Sequence, residues 1–331
     1  MMSSSLGASA RTLAATVLLL LTPSLAQPAA AQTAYPNKPV HIVVGMPAGS
    51  FTDLSARWMA NELEKSLGTT FVVENRPGAS TNIATTAVAN ASGDGYTLLL
   101  ATNANTMNPA LFKSLPFDVV KDFRPVAMIA STPFILIVRP DFPAKNIKEL
   151  IDYGKANPGK INIAATGKGT GTHLAVEMLQ QKAGIKVQTI FYKGSLESIT
   201  DVMGGRIDAM FSPITTALPQ MKAGTVRALA ITSPQRSGMA PDVPTVAEAG
   251  VPGYAAAMWT GLFAPAATPQ AVVDQLAAAA TKAAAEPALQ SKIRNGGGDA
   301  VVMGGKEFND FVLTDIARWR AVVEGAGIQP D

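Results

Sequence analysis

Cysteine is absent from the 331 residues, and histidine occurs only twice, at His41 and His173. Without cysteine there is no disulfide, no thiolate zinc site and no thiol nucleophile. No G-x-S-x-G turn is present to carry the serine of a hydrolase triad. No group of His, Asp and Glu has metal-ligand spacing, so neither a metal nor another cofactor is expected. Charged residues make up only 15% of the chain and the net charge is +3. Lys and Arg are scattered, with no basic run, which argues against nucleic acid as a partner. Beyond residue 31 no apolar run is long enough to cross a bilayer. A chain with these absences needs a good core, and 47% hydrophobic residues can supply it.

Residues 1–31 read as an export signal. Arg11 is their only charge and precedes an apolar stretch, Leu13 to Leu21, too short to span a membrane. Ala29, Ala30 and Ala31 offer small residues where a signal peptidase reads, with cleavage after Ala26 as a second option. There is no twin-Arg pair and no cysteine to accept a lipid. The mature chain is therefore expected to be a soluble periplasmic protein and a monomer.

What the chain does have is alternation. Strands are expected at Ile42–Gly45, Thr70–Glu74, Thr97–Ala101, Val126–Ile129, Phe134–Val138, Ile161–Ala164, Thr189–Tyr192, Ala209–Phe211 and Ala228–Ile231. Most are unbroken apolar runs, as expected for parallel strands covered on both faces. Helical stretches lie between most of them, one ending at Gly68 and another at Gly184. His41–Gly68 and Ile161–Gly184 share one pattern: strand, glycine loop, helix, terminal glycine. The fold class is α/β, with two lobes, each a mostly parallel sheet flanked by helices, and a cleft between them. Lobe 1 is expected to comprise 32–134 plus 258–331, and lobe 2 135–257. The late helices, Gln270–Ala285 and Lys306–Glu324, are expected to pack on lobe 1.

The segment His41 to Arg57 carries the most functional information. A strand, a small-residue loop and a helix start make a site for an anion, because first-turn N–H groups lack partners and the helix end is partly positive. Carboxylate and phosphate are the obvious guests. The second loop, Gly167-Lys168-Gly169-Thr170-Gly171, fits neither phosphate-loop pattern. Lys168 there adds charge for an anion, or is a solvated loop lysine. In open α/β sheets ligands bind beyond the carboxyl ends of strands. The candidate ligand-binding residues lie at those ends: Ala48, Gly49, Ser50, Phe51, Thr52 and Asp53; Gly78, Ala79 and Ser80; Asn103; Gly169, Thr170 and His173; Lys193; and Ser212. His41 reads as structural, and His173 either donates to a ligand or caps and packs.

An ordered series of motifs runs through the mature chain. It includes Tyr35-Pro36-Asn37-Lys38-Pro39, Glu74-Asn75-Arg76-Pro77-Gly78-Ala79, Asp94-Gly95-Tyr96-Thr97, Asp122-Phe123-Arg124-Pro125, Tyr192-Lys193-Gly194, Asp242-Val243-Pro244-Thr245 and Trp259-Thr260-Gly261. In that order and spacing the series closely resembles the substrate-binding receptors of tripartite tricarboxylate transporters, the Bug-type receptors. The resemblance implies a periplasmic two-lobed protein that closes on a small organic acid. It implies delivery of that acid to a secondary transporter made of a large and a small integral membrane subunit. It also implies that the Pro47–Asp53 loop holds the ligand carboxylate.

Three positions depart from the family pattern. Phe51 replaces a small residue; it either narrows the cleft and offers a stacking face to an aromatic acid, or turns into packing. Ser80, Thr81 and Asn82 stand where the family usually has glycines. Ser212 follows Phe211 where many members have Asp, which argues against a ligand ammonium group and so against amino acids. Di- and tricarboxylates and aromatic acids remain. Two rival roles share this sequence: a ligand-sensing receptor for a signalling partner, and an exported α/β enzyme, for which no paired nucleophile and base is visible.

Overall fold

Each apolar run is followed by a small-residue turn and then by a helix, and a computed structural model describing residues 35–331 shows what that order builds. The export signal lies outside the described residues. First come β1 (Val40–Val44), α1 (Phe51–Leu67), β2 (Phe71–Asn75), α2 (Asn82–Ala89), β3 (Thr97–Thr102) and α3 (Asn103–Leu111). A 16-residue strand, β4 (Phe123–Val138), follows. Then come α4 (Ile147–Ala156), β5 (Asn162–Ala165), α5 (Gly171–Ala183), β6 (Gln188–Phe191), α6 (Ser195–Met203), β7 (Ala209–Pro213), α7 (Ile214–Lys222) and β8 (Arg227–Ile231). The chain ends with β9 (Ala257–Pro265), α8 (Gln270–Ala285), α9 (Pro287–Asn295), β10 (Asp299–Gly304) and α10 (Gly305–Gly325). Among the described residues no helix is long and apolar enough to cross a membrane.

The strands run in the order β2-β1-β3-β9-β4-β7-β5-β6, with β10 and β8 also pairing along β4. Parallel pairing holds for β1 with β2 and β3, and for β5 with β6 and β7. Elsewhere the sheet departs from the expected parallel arrangement: β4 pairs antiparallel with β7, β8, β9 and β10, and β3 pairs antiparallel with β9. The reason is that β4 and β9 carry the chain between the lobes in opposite directions. Residues 123–133 of β4 pair with β9, and residues 134–138 pair with β7 and β8. The two strands expected at Val126–Ile129 and Phe134–Val138 are one. Ser131, Thr132 and Pro133 look like a break in sequence, yet Pro133 still keeps register opposite Ala257.

Burial on both faces explains the unbroken apolar runs. In the first lobe, Ile42, Val44, Leu98 and Leu100 pack under α1 and α8, while Val43 and Leu99 pack under α2 and α10. In the second, Leu136, Val138 and Phe211 face α5, and Ile135, Ile137 and Met210 face α6 and α7. The last helix does not stay on the first lobe as expected. Phe308, Val312 and Ile316 pack there, but Trp319, Val322 and Val323 join the core of the second. A helix of 21 residues spans about 30 Å, more than one lobe can cover. Gln181 Nε2 donates to the Val322 carbonyl and ties that end to α5.

A run of three glycines, Gly296-Gly297-Gly298, lies where the lobes meet. A β-carbon on Gly296 would overlap the Trp58 ring, one on Gly298 would overlap Phe51, and one on Gly297 would overlap Thr215 of α7. Gly297 also has φ +100, a conformation that disfavours any side chain. Gly297→Ala is expected to lower stability by about 2 kcal/mol through overpacking and backbone strain. Adding Thr215→Ser, which removes the opposing methyl, should recover part of the loss in a denaturation midpoint. Equal midpoints for wild type and Gly297→Ala would contradict this packing.

Candidate functional site

The loop after β1 is shaped by one carboxylate. Asp53 is 2% exposed and accepts from the Gly49 N–H at 2.8 Å, from Asn75 Nδ2 at 2.9 Å and from Arg57 at 3.0–3.1 Å. Burial works against its ionisation. The hydrogen bonds from Arg57, Gly49 and Asn75 outweigh that, and its pKa lies below the usual carboxylate range. Ser50 caps α1 by accepting from the Asp53 N–H at 3.2 Å. The Phe51 and Thr52 N–H groups, next in the first turn, have no partner among the described residues.

The turn after β2 is strained. Ala79, Ser80 and Thr81 all have positive φ (45°, 51° and 74°), which non-glycine residues seldom adopt. Two contacts hold it. Asn108 Nδ2 donates to the Ser80 carbonyl at 2.8 Å and to Asn82 Oδ1 at 2.7 Å. Thr81 packs on Gly45 so closely that a β-carbon there would lie 2.7 Å from Thr81 Cβ. Asn108 belongs to α3, whose own start is fixed by a capping box: Ala104 N–H donates to Thr102 Oγ1, and Thr102 N–H to Asn105 Oδ1.

The second glycine loop is held by His173. Its Nδ1 accepts from the Gly169 N–H at 3.0 Å, so the neutral ring carries its proton on Nε2. The ring is 5% exposed and meets Phe191 edge-on at 5.0 Å. Burial, and secondarily the Lys168 ammonium, pushes its pKa below the ordinary 6.5. Nε2 lies 3.6 Å from Glu177, whose own carboxyl is pushed up by burial. Thr170 caps α5 by accepting from the His173 N–H. The Gly171 and Thr172 N–H groups have no partner among the described residues.

These three helix starts border one cavity of ≈ 420 Å³. α1 contributes Ser50, Phe51 and Thr52, α3 contributes Thr102, Asn103 and Ala104, and α5 contributes Thr170 and Gly171. α3 and α5 are close: a β-carbon on Gly171 would lie 3.5 Å from Asn103 Nδ2. Met46, Met107, Leu111, Met258 and Trp259 form apolar walls. Among the described residues no Asp or Glu lines the cavity, and Lys168 is its only charged residue. Two further lining residues, Thr81 and Thr132, are each 5% exposed, and their hydroxyls have no hydrogen-bond partner among the described residues. Buried hydroxyls without partners are costly, and a ligand with acceptor oxygens would satisfy them. Helix dipoles, unpaired N–H groups, orphan hydroxyls and one ammonium all favour an anion with an apolar body.

Of the residues named from sequence, Ser50, Phe51, Thr52, Ser80, Asn103, Gly169 and Thr170 come together at this cavity. Ala48, Gly49, Gly78 and Ala79 lie in the adjoining loops, exposed and off its wall. Asp53 and His173 stand behind the wall and hold the loops. Lys193 is exposed after β6, and Ser212 is fully buried in β7, its hydroxyl donating to the Pro213 carbonyl at 3.1 Å. Phe51 borders the cavity, but its ring tip packs towards Gly298 and its edge meets Trp58 at 6.4 Å. Thr132 and Met258 carried no sequence signal, because only the β4–β9 crossing brings them to the site.

Residues 55–328 match the tripartite tricarboxylate transporter family receptor. Protein BugT of Bordetella pertussis is 34% identical over 319 residues, covering 96% of this chain and 98% of its own. Among solved structures, Rpa4515 of R. palustris with adipate is 32% identical with a TM-score of 0.70, covering 90% of this chain and 100% of its own. MatC from Rhodopseudomonas palustris with bound malate is 32% identical with a TM-score of 0.66, covering 87% and 100%.

Two outcomes test the supports of this site. Ser80→Gly is expected to raise the unfolding midpoint, since it relieves about 1 kcal/mol of left-handed strain; a lowered midpoint would contradict the strain. For His173 the folded pKa lies below the unfolded 6.5, so the unfolded chain binds the proton first. Its stabilisation is complete above pH 6.5 and is lost as pH falls below that value. His173→Asn keeps an acceptor for Gly169 and removes the titration. Its stability should fall less than wild type between pH 7 and pH 5, and parallel curves would contradict a neutral His173. Glu177, titrating in the opposite sense, is common to both proteins.

Proposed function

The chain belongs to the tripartite tricarboxylate transporter receptor family, and from that premise we propose that it is an exported receptor that captures a small organic carboxylate and delivers it to a membrane carrier. The family is one of solute-binding receptors, and the observation that carries the ligand assignment is the meeting of three helix N-termini at one cavity that, among the described residues, has no acidic side chain. A carboxylate there accepts charge-assisted hydrogen bonds from the N–H groups of Phe51, Thr52 and Gly171 and from nearby hydroxyls. Adipate in one relative and malate in another support acids of this size.

No bond is made or broken in this reading. His173, the only histidine near the cavity, spends Nδ1 on the Gly169 N–H, which supports a supporting role and not that of a base. The lobes, 32–134 plus 258–331 and 135–257, close about the crossings in β4 and before β9. Closure excludes water and converts ligand affinity into a shape that the large and small membrane subunits recognise. Export through the 1–31 signal places the receptor, a monomer, in the periplasm.

A thermal-shift screen of ligand-free protein against mono-, di-, tricarboxylic and aromatic acids tests this. An acid at 100 times its dissociation constant should add about 2.7 kcal/mol and raise the midpoint visibly. No shift with any carboxylate would overturn the assignment.

A further inference from the structure

The two crossing strands have a second face. On β9, Met258 and Thr260 line the ligand cavity, whereas Ala257 lines a smaller pocket of ≈ 140 Å³. On β4, Thr132 opposite Met258 lines the cavity, and Ser131 opposite Trp259 lines the pocket. Successive side chains of a strand point to opposite faces, so the pocket lies behind the crossing. Trp259 borders both spaces and turns its ring to the rear, edge-on to Phe311 of the pocket wall at 5.8 Å.

One wall of this pocket is braced within the first lobe. Asp315 of α10, 2% exposed, accepts from Trp259 Nε1 at 3.1 Å, from Thr106 of α3 at 2.7 Å and from Arg318 at 2.7 Å. The facing wall, Pro234 and Gln235, belongs to the loop after β8. That loop is held in the second lobe: Arg236 pairs with Glu248 at 2.9 Å, and Met239 packs on the core beside α6 and α7. A hydrogen bond ties the walls together. The Gly238 N–H donates to Asp299 Oδ1 at 3.1 Å, and Asp299 stands at the start of β10 opposite Ser131.

Strands that bend to bring two lobes together in front must part them behind. We propose that this rear contact sets how readily the receptor closes, and through that its ligand affinity. The Asp299–Gly238 bond favours the open cleft, and added bulk in the rear pocket favours the closed one. This rests on the closure reading above and deepens it. Where the closed state is fractionally populated, the apparent affinity falls by that fraction, so Asp299 and Gln235 act without touching the ligand.

The test combines distances and affinities. The chain has no cysteine, so Ile83→Cys on α2 and Leu196→Cys on α6, both exposed, take spin labels at those two sites alone. Each follows the carboxyl end of a strand, the cleft side of its lobe. Distances between the labels are measured by double electron–electron resonance in the wild-type, Asp299→Ala, Asp299→Asn and Gln235→Trp backgrounds, with unfolding midpoints to confirm folding. In ligand-free protein Asp299→Ala and Gln235→Trp should each shift population towards the shorter distance. Asp299→Asn, which keeps an acceptor oxygen, should lie between wild type and Asp299→Ala. In unlabelled protein, calorimetric titration with adipate and with malate should show Asp299→Ala binding about fivefold more tightly, the worth of one ordinary hydrogen bond. A wild type that shortens on adding either acid, with populations and affinities unchanged in both Asp299→Ala and Gln235→Trp, would overturn the rear contact alone. An acid that binds wild type without shortening the distance would overturn closure, and the inference with it. No heat with either acid on folded wild type would count against the carboxylate reading, and the ligand-free distances would still decide the rear contact.

Discussion

The first N–H groups of a helix have no carbonyl one turn back to accept them, and that deficit is what this protein exploits. In a βα unit the strand's carboxyl end feeds the helix's amino end, so every such unit aims its unsatisfied donors the same way. β1–α1, β3–α3 and β5–α5 are built on that plan. The first two lie in one lobe and the third in the other. Joining the lobes through β4 and β9 turns the third unit to face the first two, and the starts of three helices then line one cavity. The anion preference proposed for the cavity rests mainly on these backbone donors, with the side chains shaping the rest.

Those side chains work largely from behind. Asp53, Asn108 and His173 each hold a loop in place through hydrogen bonds to protein partners. Holding the loops before a ligand arrives reduces the ordering cost of binding. The strained Ala79–Thr81 turn belongs to the same arrangement, since Asn108 and Gly45 keep it in a shape it would not choose. Between the lobes the constraint is different. The end of α10 packs in the second lobe while its start packs in the first, and the glycine run 296–298 meets both α1 and α7. A closure of the kind proposed above would have to carry α10 with both lobes or slide it against one of them.

The first and second loops are legible because strand, glycine turn and helix follow one another locally, and Asn103 because it follows the end of an apolar strand directly. Sequence shows that a polar residue is near a helix start and not which way it is spent: Asp53, expected at the ligand, holds its own loop, and His173, open between donor and cap, accepts from the Gly169 N–H. The missed elements were those whose form depends on partners. β4 was split at Pro133 because a proline normally ends a ladder, and it continues only because Ala257 keeps register across from it. β10 carries the short apolar run Ala300–Met303, but it is only half-buried with Val302 exposed, and its form depends on pairing with β4. Phe51 offers two readings in sequence, and its ring packs towards Trp58 and Gly298, which is the packing reading.

The central claim is that backbone N–H groups at three helix starts hold the ligand carboxylate. The most direct measurement is an amide NMR titration with whichever acid raises the unfolding midpoint most. The account predicts that the proton resonances of Phe51, Thr52, Asn103 and Gly171 move downfield together and saturate with the binding isotherm. Saturation of binding with those four amides unmoved, and the large shifts elsewhere, would contradict it.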